Sequence, residues 1–466
     1  MHLERTAIND LENWFSQDRR KPLVIRGARQ VGKSTLVRFF AEKHGLKLFE
    51  VNLERYSRFD EVFKKLDVKE ILTEIEYFTG QGKINQENSL IFLDEIQSAP
   101  YAIKALRYFY EDFPQIPVIA AGSLLELTLS DYTFSMPVGR MEYLFLGPMS
   151  FEEFLLAGRE TQLLDLLNSF DFTNAFPEFA HRRLLELLRD YLLVGGMPEA
   201  AKEFLSSRHI EDVIRVHSSL LETYRDDFGK YARGGDLLRI QKVFDHTPLA
   251  VGEKVIYRKI DGEAQSRETK KAIDLLAKAG IISRVHHSSA SGIPLRAGKK
   301  DKVFKLYFLD VGLMNRMCGI DHLPVSGFEN EVPFINKGKM AEQFIAQHLL
   351  SMGVPYETPQ LHYWLREGRT ANAEVDFLIQ AGARILPIEV KAGKSGSLKS
   401  LHQFIHEKKQ NSAVRFDFSL PSKMAVEHKI VSGGRTEGVR FELLSLPLYM
   451  VGQTMRLETK SGEISS

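Results

Sequence analysis

Cysteine is nearly absent: Cys318 is the single one in 466 residues. That excludes an intramolecular disulfide and a cysteine-cluster zinc site. Cys318 reads simply as a small core residue. Charge of one sign is also missing, for the net charge is only +1. No global attraction to nucleic acid or to an anionic membrane follows from that balance, so any such binding must come from a local patch. No run of about 18 apolar residues occurs, and no transmembrane helix or membrane partner is expected. Met1-His2-Leu3-Glu4-Arg5 opens no apolar secretory segment, which makes the cytoplasm the expected location. Internal repeats and low-complexity tracts are missing too. What remains is an ordinary globular composition, 44% apolar and 26% charged, with length for roughly three domains.

The most informative stretch is Gly27-Ala28-Arg29-Gln30-Val31-Gly32-Lys33-Ser34, a match to G-x-x-x-x-G-K-[ST]. Leu23-Val24-Ile25 before it reads as a buried strand, and Thr35 to Ala41 after it as a helix. Glycines let backbone N–H groups wrap phosphate oxygens, and the helix N-terminus adds partial positive charge. In such a loop Lys33 reaches the β/γ-phosphates and the Ser34 hydroxyl ligates Mg²⁺. ATP and Mg²⁺ are the expected cofactors, with Thr35 completing the loop.

Leu90-Ile91-Phe92-Leu93-Asp94-Glu95 is an apolar strand ending in two acids, the Walker B pattern. Burial on both faces explains the unbroken apolar run. Asp94 is expected to hold Mg²⁺ and Glu95 to orient and deprotonate the attacking water. Strand 117–121 ends in Gly122-Ser123. Ser123 is expected between Walker A and Walker B, where it contacts the γ-phosphate or the water, or else caps a helix over 124–129. Arg140, in Pro137-Val138-Gly139-Arg140, can neutralise charge on the transferring phosphoryl group in cis or across an oligomer interface. The plainer alternative is a solvated or ion-paired arginine.

Strand-like and helical segments alternate up to about residue 125, which implies a parallel sheet covered by helices. From about 150 to 235 the pattern is helical, broken at Gly195-Gly196-Met197-Pro198. Helix, short segment and helix follow over 236–279, then two strands at 280–285 and 303–308 joined by a loop, in the order of a winged helix-turn-helix. Residues 251–310 hold thirteen Lys or Arg against seven Asp or Glu. Arg267, Lys270 and Lys271 lie on the expected recognition helix, and Arg296, Lys299, Lys300 and Lys302 in the expected wing. A helix in the major groove with a basic wing on the backbone is one DNA-docking mode. A solvated face that binds protein is the alternative.

The last segment combines a helix at 336–352 with strands at 363–366, 374–380 and 385–390. Asp376 lies in one strand of a hairpin, and Glu389-Val390-Lys391 ends the other. Residues two apart in a strand share a face, so Glu389 and Lys391 point the same way and Asp376 can join them. Two carboxylates can hold a divalent metal. Lys391 can stabilise a charged transition state, and Glu342 on the preceding helix can add a third carboxylate. Ordinary surface charges, or an inactive fold of this kind, are the alternative. Lys394, Lys399, Lys408 and Lys409 can hold phosphates beside the cluster or form the polar face of a helix.

Gly27–Ser34, Leu90–Glu95, Ala121-Gly122-Ser123, Gly139-Arg140 and Gly195–Pro198 together resemble prokaryotic AAA-type ATPases that carry an appended C-terminal domain of unknown function. The helix–strand–strand order with Asp376, Glu389 and Lys391 resembles the PD-(D/E)XK nuclease superfamily, with Val375 where a proline often stands. The expected architecture is α/β and multidomain. An AAA-type P-loop core spans 1–180, a helical lid 181–235, a winged-helix unit 236–330 and a nuclease-like domain 331–466. The expected function is Mg-dependent ATP binding and hydrolysis, DNA-directed, with a metal-dependent nuclease domain and assembly as a homo-oligomer. The alternative is a slow ATP-gated switch whose C-terminal domain only binds nucleic acid or protein.

Overall fold

Short strands, two of them buried throughout, organise the first part of the chain. Leu23–Arg26 (β1), Lys47–Asn52 (β2), Ser89–Asp94 (β3), Val118–Gly122 (β4) and Glu142–Phe145 (β5) form a five-stranded sheet in the order β2-β3-β4-β1-β5. Every pairing in it is parallel. β3 and β4 are buried along their whole length, as strands covered by helices on both faces must be. The computed structural model describes residues 3–123, 125, 139–320, 334–367, 373–392, 398–432 and 435–463. Most of the helix expected at 124–129, together with Pro137-Val138 and Lys394, lies outside them.

The chain divides into two compact units. The first comprises Met1–Met149 with Ile273–Ile281 and Gly353–Pro359, and the second the remainder. One core cluster of the first includes Val24, Phe49, Phe63, Ile91, Leu93, Leu106 and Ala120. β4 is hydrogen-bonded to both β1 and β3, which sets its C-terminal end between the P-loop and the Walker B acids.

The second unit contains an eight-stranded mixed sheet, ordered β12-β13-β11-β10-β9-β8-β6-β7. Its strands are Ile282–Ser288 (β6), Lys299–Phe308 (β7), Leu361–Leu365 (β8), Glu374–Ala381 (β9), Arg384–Val390 (β10), Ser412–Asp417 (β11), Ser422–Ser432 (β12) and Arg435–Pro447 (β13). β6 runs parallel to β8, with Val285 beside Leu361. The sheet therefore crosses residue 330, where the sequence suggested a domain boundary. The β6–β7 hairpin is an edge of this sheet and not a free-standing wing. The helices Gly235–Leu249, Tyr257–Ile260 and Ser266–Lys278 precede it, where a helix, a short segment and a helix were expected.

Gly195-Gly196 has a packing reason. The helix Glu178–Val194 ends at Gly195, whose φ is 73°. A Cβ there would lie 2.0 Å from Asp310 Oδ1. The Gly196 N–H donates to Asp310 Oδ2 at 2.6 Å. The other carboxylate oxygen accepts from the Gly312 and Leu313 N–H groups at 3.0 and 3.1 Å, capping the helix Val311–Met317. Gln347 adds a donor at 3.2 Å.

Candidate functional site

The P-loop joins the end of β1 to the helix Lys33–Lys43, whose N-cap is Gly32 with φ 95°. Gly27 has φ 147°, and a Cβ on it would lie 2.1 Å from the Leu146 carbonyl oxygen. Only glycine lets the loop leave the sheet here. Lys33 is buried and donates to the carbonyls of Gly27 at 3.0 Å and Ala28 at 2.7 Å. Burial depresses its pKa to about 8, against the opposing pull of Glu95 and Asp94.

The Ser34 hydroxyl donates to Asp94 Oδ2 at 2.9 Å. Burial holds the Asp94 carboxyl above the usual range, and the Ser34 hydrogen bond opposes that. Glu95 follows with φ 53° and ψ 47°, a left-handed conformation that costs a side-chain-bearing residue on the order of 1–3 kcal/mol. Gln97 Nε2 donates to Glu95 Oε2 at 2.5 Å. Gln97 had no assigned role in the sequence reading. Its signal is the spacing, two residues beyond the acid.

Gly122 pairs with Arg26 across β4 and β1, so Ser123 stands level with Gly27. Ser123 is 5% exposed. Its Oγ has no hydrogen-bond partner among the described residues, which leaves it able to meet a phosphate oxygen. The hard oxygens of Ser34 and Asp94, the wrapped loop and this spare hydroxyl fit a Mg²⁺–nucleotide.

Arg140 is placed otherwise. It is exposed, and its Nε donates to Glu111 Oε1 at 2.9 Å. It precedes β5, whose first residue Glu142 pairs with Leu23 at the start of β1. The P-loop leaves the other end of β1. The strands are parallel, so Arg140 lies at the end of the sheet opposite its own P-loop.

The second cluster draws on four elements of the second unit. Lys305 and Tyr307 come from β7, Glu342 from the helix Phe334–Ser351, Glu374 and Asp376 from β9, and Glu389 from β10, with Lys391 just beyond its end. β7 and β9 each contribute residues two apart, on one face. The β9–β10 register pairs Phe377 with Ile388, and its next step sets Asp376 beside Glu389, as the sequence implied. Asp376 Oδ2 accepts from the Val390 N–H at 2.8 Å, and Lys391 is ion-paired with Glu389.

Lys305 is the residue that sequence reasoning missed. It is 1% exposed and lies 3.2 Å from Glu342 Oε1 and 2.6 Å from Glu374 Oε1. Tyr307 Oη donates to the same Glu342 oxygen at 2.5 Å. Burial works against the Lys305 charge, but Glu342, Asp376 and Glu374 outweigh it and hold the pKa above that of an ordinary lysine. Burial, then Glu389 and Glu342, pushes the Asp376 carboxyl far above the usual range. Burial also raises Glu389, and Lys391 opposes it. Glu342, Asp376 and Glu389, the expected metal ligands, thus come together beside Lys305 and Lys391. Glu342 pairs with buried Lys305 and Glu389 with part-exposed Lys391, and among the described residues no group of three or more His, Cys, Asp or Glu is placed to hold a metal ion. The donor set does not fit a ready-made divalent site.

Of the seven basic residues expected to meet DNA, all are exposed. Lys271 pairs with Asp236 at 2.7 Å, Lys299 with Asp301 at 3.0 Å and Lys300 with Glu367 at 2.5 Å. Lys399 and Lys409 are exposed at the two ends of the helix Lys399–Lys408.

The fold and first site together define a P-loop nucleotide-binding protein. More narrowly, residues 19–155 match a family described as AAA domain. Residues 185–323 match a domain of unknown function (DUF8612), and residues 337–429 another (DUF4143). No curated protein matches the chain. Among solved structures, C. elegans PCH-2 is similar at 14% identity and a TM-score of 0.24, over 39% of this chain and 52% of that one. The chain thus spans about half the length of PCH-2. Aeropyrum pernix ORC1 in complex with DNA is similar at 14% identity and a TM-score of 0.26, over 68% and 94%. The Thermotoga maritima RuvB Holliday junction branch migration motor is similar at 13% and 0.28, over 59% and 89%. Likenesses this remote carry nothing about activity or partners. No helix among the described residues is long and apolar enough to cross a membrane.

Proposed function

We propose that the chain is a Mg-dependent ATP hydrolase that acts as a homo-oligomer in the cytoplasm and is directed to DNA. The carrying observation is the Ser34–Asp94 hydrogen bond of 2.9 Å with Glu95 next in the chain. In this reading the Gly27–Ser34 backbone cradles the phosphates, and Lys33 exchanges its two loop carbonyls for phosphate oxygens. Ser34 and Asp94 hold Mg²⁺, which when bound neutralises phosphate charge. Glu95 takes a proton from the attacking water, and Ser123 donates its free hydroxyl to the γ-phosphate or the water. Arg140 completes the site of a neighbouring subunit.

Replacing Glu95 by Gln keeps the loop and removes the base. The expected result is retained ATP binding with turnover lowered by about 10²–10⁴-fold, the span of general-base catalysis. Undiminished hydrolysis by Glu95→Gln would falsify this assignment.

DNA direction rests on Arg267, Lys270, Arg296 and Lys302, which are exposed. Cleavage at Asp376, Glu389 and Lys391 is the less supported role, because lysines already neutralise the acids. Charge reversal at Lys270 and Lys302 is expected to weaken DNA binding and flatten its salt dependence by about one log–log unit per lost phosphate contact. Unchanged anisotropy titrations at several salt concentrations would remove DNA from the proposal.

A second reading, the slow ATP-gated switch, is favoured by one contact. Gln97 engages the Glu95 carboxylate at 2.5 Å, so the base is held until Gln97 withdraws. Turnover that rises in Gln97→Ala supports the switch. A fall makes Gln97 a positioning residue of an ordinary hydrolase.

A further inference from the structure

We infer that Lys305 takes the place of a divalent cation in the C-terminal acid cluster, so that the cluster is closed by an internal ammonium and binds neither Mg²⁺ nor Mn²⁺. The inference is independent of the ATPase reading. It starts from the position of the side chain. Lys305 is buried to 1% exposure, with its Nζ 3.2 Å from Glu342 and 2.6 Å from Glu374. A buried ammonium persists only where carboxylates compensate it, and here they come from a helix and a second strand. Tyr307 caps the same Glu342 oxygen at 2.5 Å. Its ring neighbour is Phe377 of β9, at 5.6 Å, so the position of β7 beside the hairpin is fixed by packing as well as by charge. Tyr363 lies beneath the ammonium, with its ring centre 5.2 Å from Nζ.

The remaining acids have protein donors of their own. Glu389 is ion-paired with Lys391, and Asp376 accepts from the Val390 N–H at 2.8 Å. A hard cation wants several carboxylate or carbonyl oxygens converging at short range. To enter, it would have to expel a lysine that is 1% exposed and already compensated by Glu342 and Glu374. One oxygen, Glu389 Oε2, is buried without a partner among the described residues. A single such oxygen is too few for a divalent ion, but it is the one that would serve if the ammonium were gone. Removal of the Lys305 charge should therefore turn the cluster into a metal site.

The test is Mn²⁺ binding to the full chain without nucleotide, read by electron paramagnetic resonance of free Mn²⁺. The wild type is compared with Asp376→Asn, Lys305→Met and the double variant. Any ion held at Ser34 and Asp94 is common to all four and cancels. Wild type and Asp376→Asn are expected to bind alike. Lys305→Met is expected to gain one Mn²⁺ per chain, and the double variant to lose it. Mn²⁺ bound by the wild type and lost in Asp376→Asn overturns the inference, as does a folded Lys305→Met that gains none. If Lys305→Met does not fold by circular dichroism, the wild-type pair still decides. Its melting temperature must then show no Mn²⁺-induced rise that Asp376→Asn abolishes.

Discussion

The charge of Lys33 sets a pH window for nucleotide binding. Burial brings its pKa to about 8 in the free protein, and a bound triphosphate restores the charged form. Below about pH 8 the ammonium is already present and binding takes up no proton. Above it, binding must recapture one, so affinity falls with each rise in pH until the pKa of the bound state is reached. The slope approaches about tenfold per unit, by ordinary proton linkage. Calorimetric titration of ATP between pH 6.5 and 9.5, run in buffers of different ionisation enthalpy, measures both the affinity and the proton count. A flat affinity across that range would show that Lys33 keeps its charge in the free loop. Glu95 adds to this picture. A left-handed backbone at φ 53° is expensive for a glutamate. Here the strained turn aims the acid from the end of a strand that is otherwise buried.

Asp310 shows what one carboxylate can do for several elements. It accepts from Gly196, Gly312, Leu313 and Gln347, and so joins the end of one helix to the start of another. Asp310→Ala strands these buried donors. It is expected to lower unfolding stability by roughly 2–4 kcal/mol, from one lost cap and one buried unsatisfied N–H. A lower urea midpoint at unchanged slope is the reading that checks it. The Gly-Gly-Met-Pro break was legible in the sequence, but its cause was not, because Asp310 lies 114 residues away. The same limit hid Lys305. It stood among thirteen basic residues of a presumed winged unit, and nothing local relates it to Glu342 and Glu374. The Asp376–Glu389 pairing was legible because a hairpin is a local structure, whose register follows from a short turn. The P-loop and Walker B strands were legible because burial on both faces leaves an unbroken apolar run. β12 was missed for the opposite reason: it is largely exposed, and its apolar face, Met424, Val426 and Ile430, is broken by His428.

At the scale of the whole molecule, the topology of the first sheet sets Arg140 and the P-loop at opposite ends of β1. Arg140 precedes β5, Glu142 pairs with Leu23, and the P-loop leaves the far end of β1 at Arg26. At about 3.3 Å per residue, the length of β1 separates Arg140 from the phosphate site of its own chain. If Arg140 serves catalysis, it serves a neighbour, through a head-to-tail interface in which one subunit lends the arginine and the next binds the nucleotide. Mixing tests this directly. Lys33→Ala binds no nucleotide but keeps Arg140, and Arg140→Ala keeps a complete P-loop but lends nothing. Each alone is expected to be inactive. In an equal mixture, half of the intact P-loops lie beside an intact arginine, so activity should return to about a quarter of wild type for random head-to-tail assembly. The mixture must be exchanged before assay, and light scattering confirms that the variants assemble. No recovery in a mixed assembly, or full activity of Arg140→Ala alone, leaves Arg140 as the surface partner of Glu111 that it is within one chain.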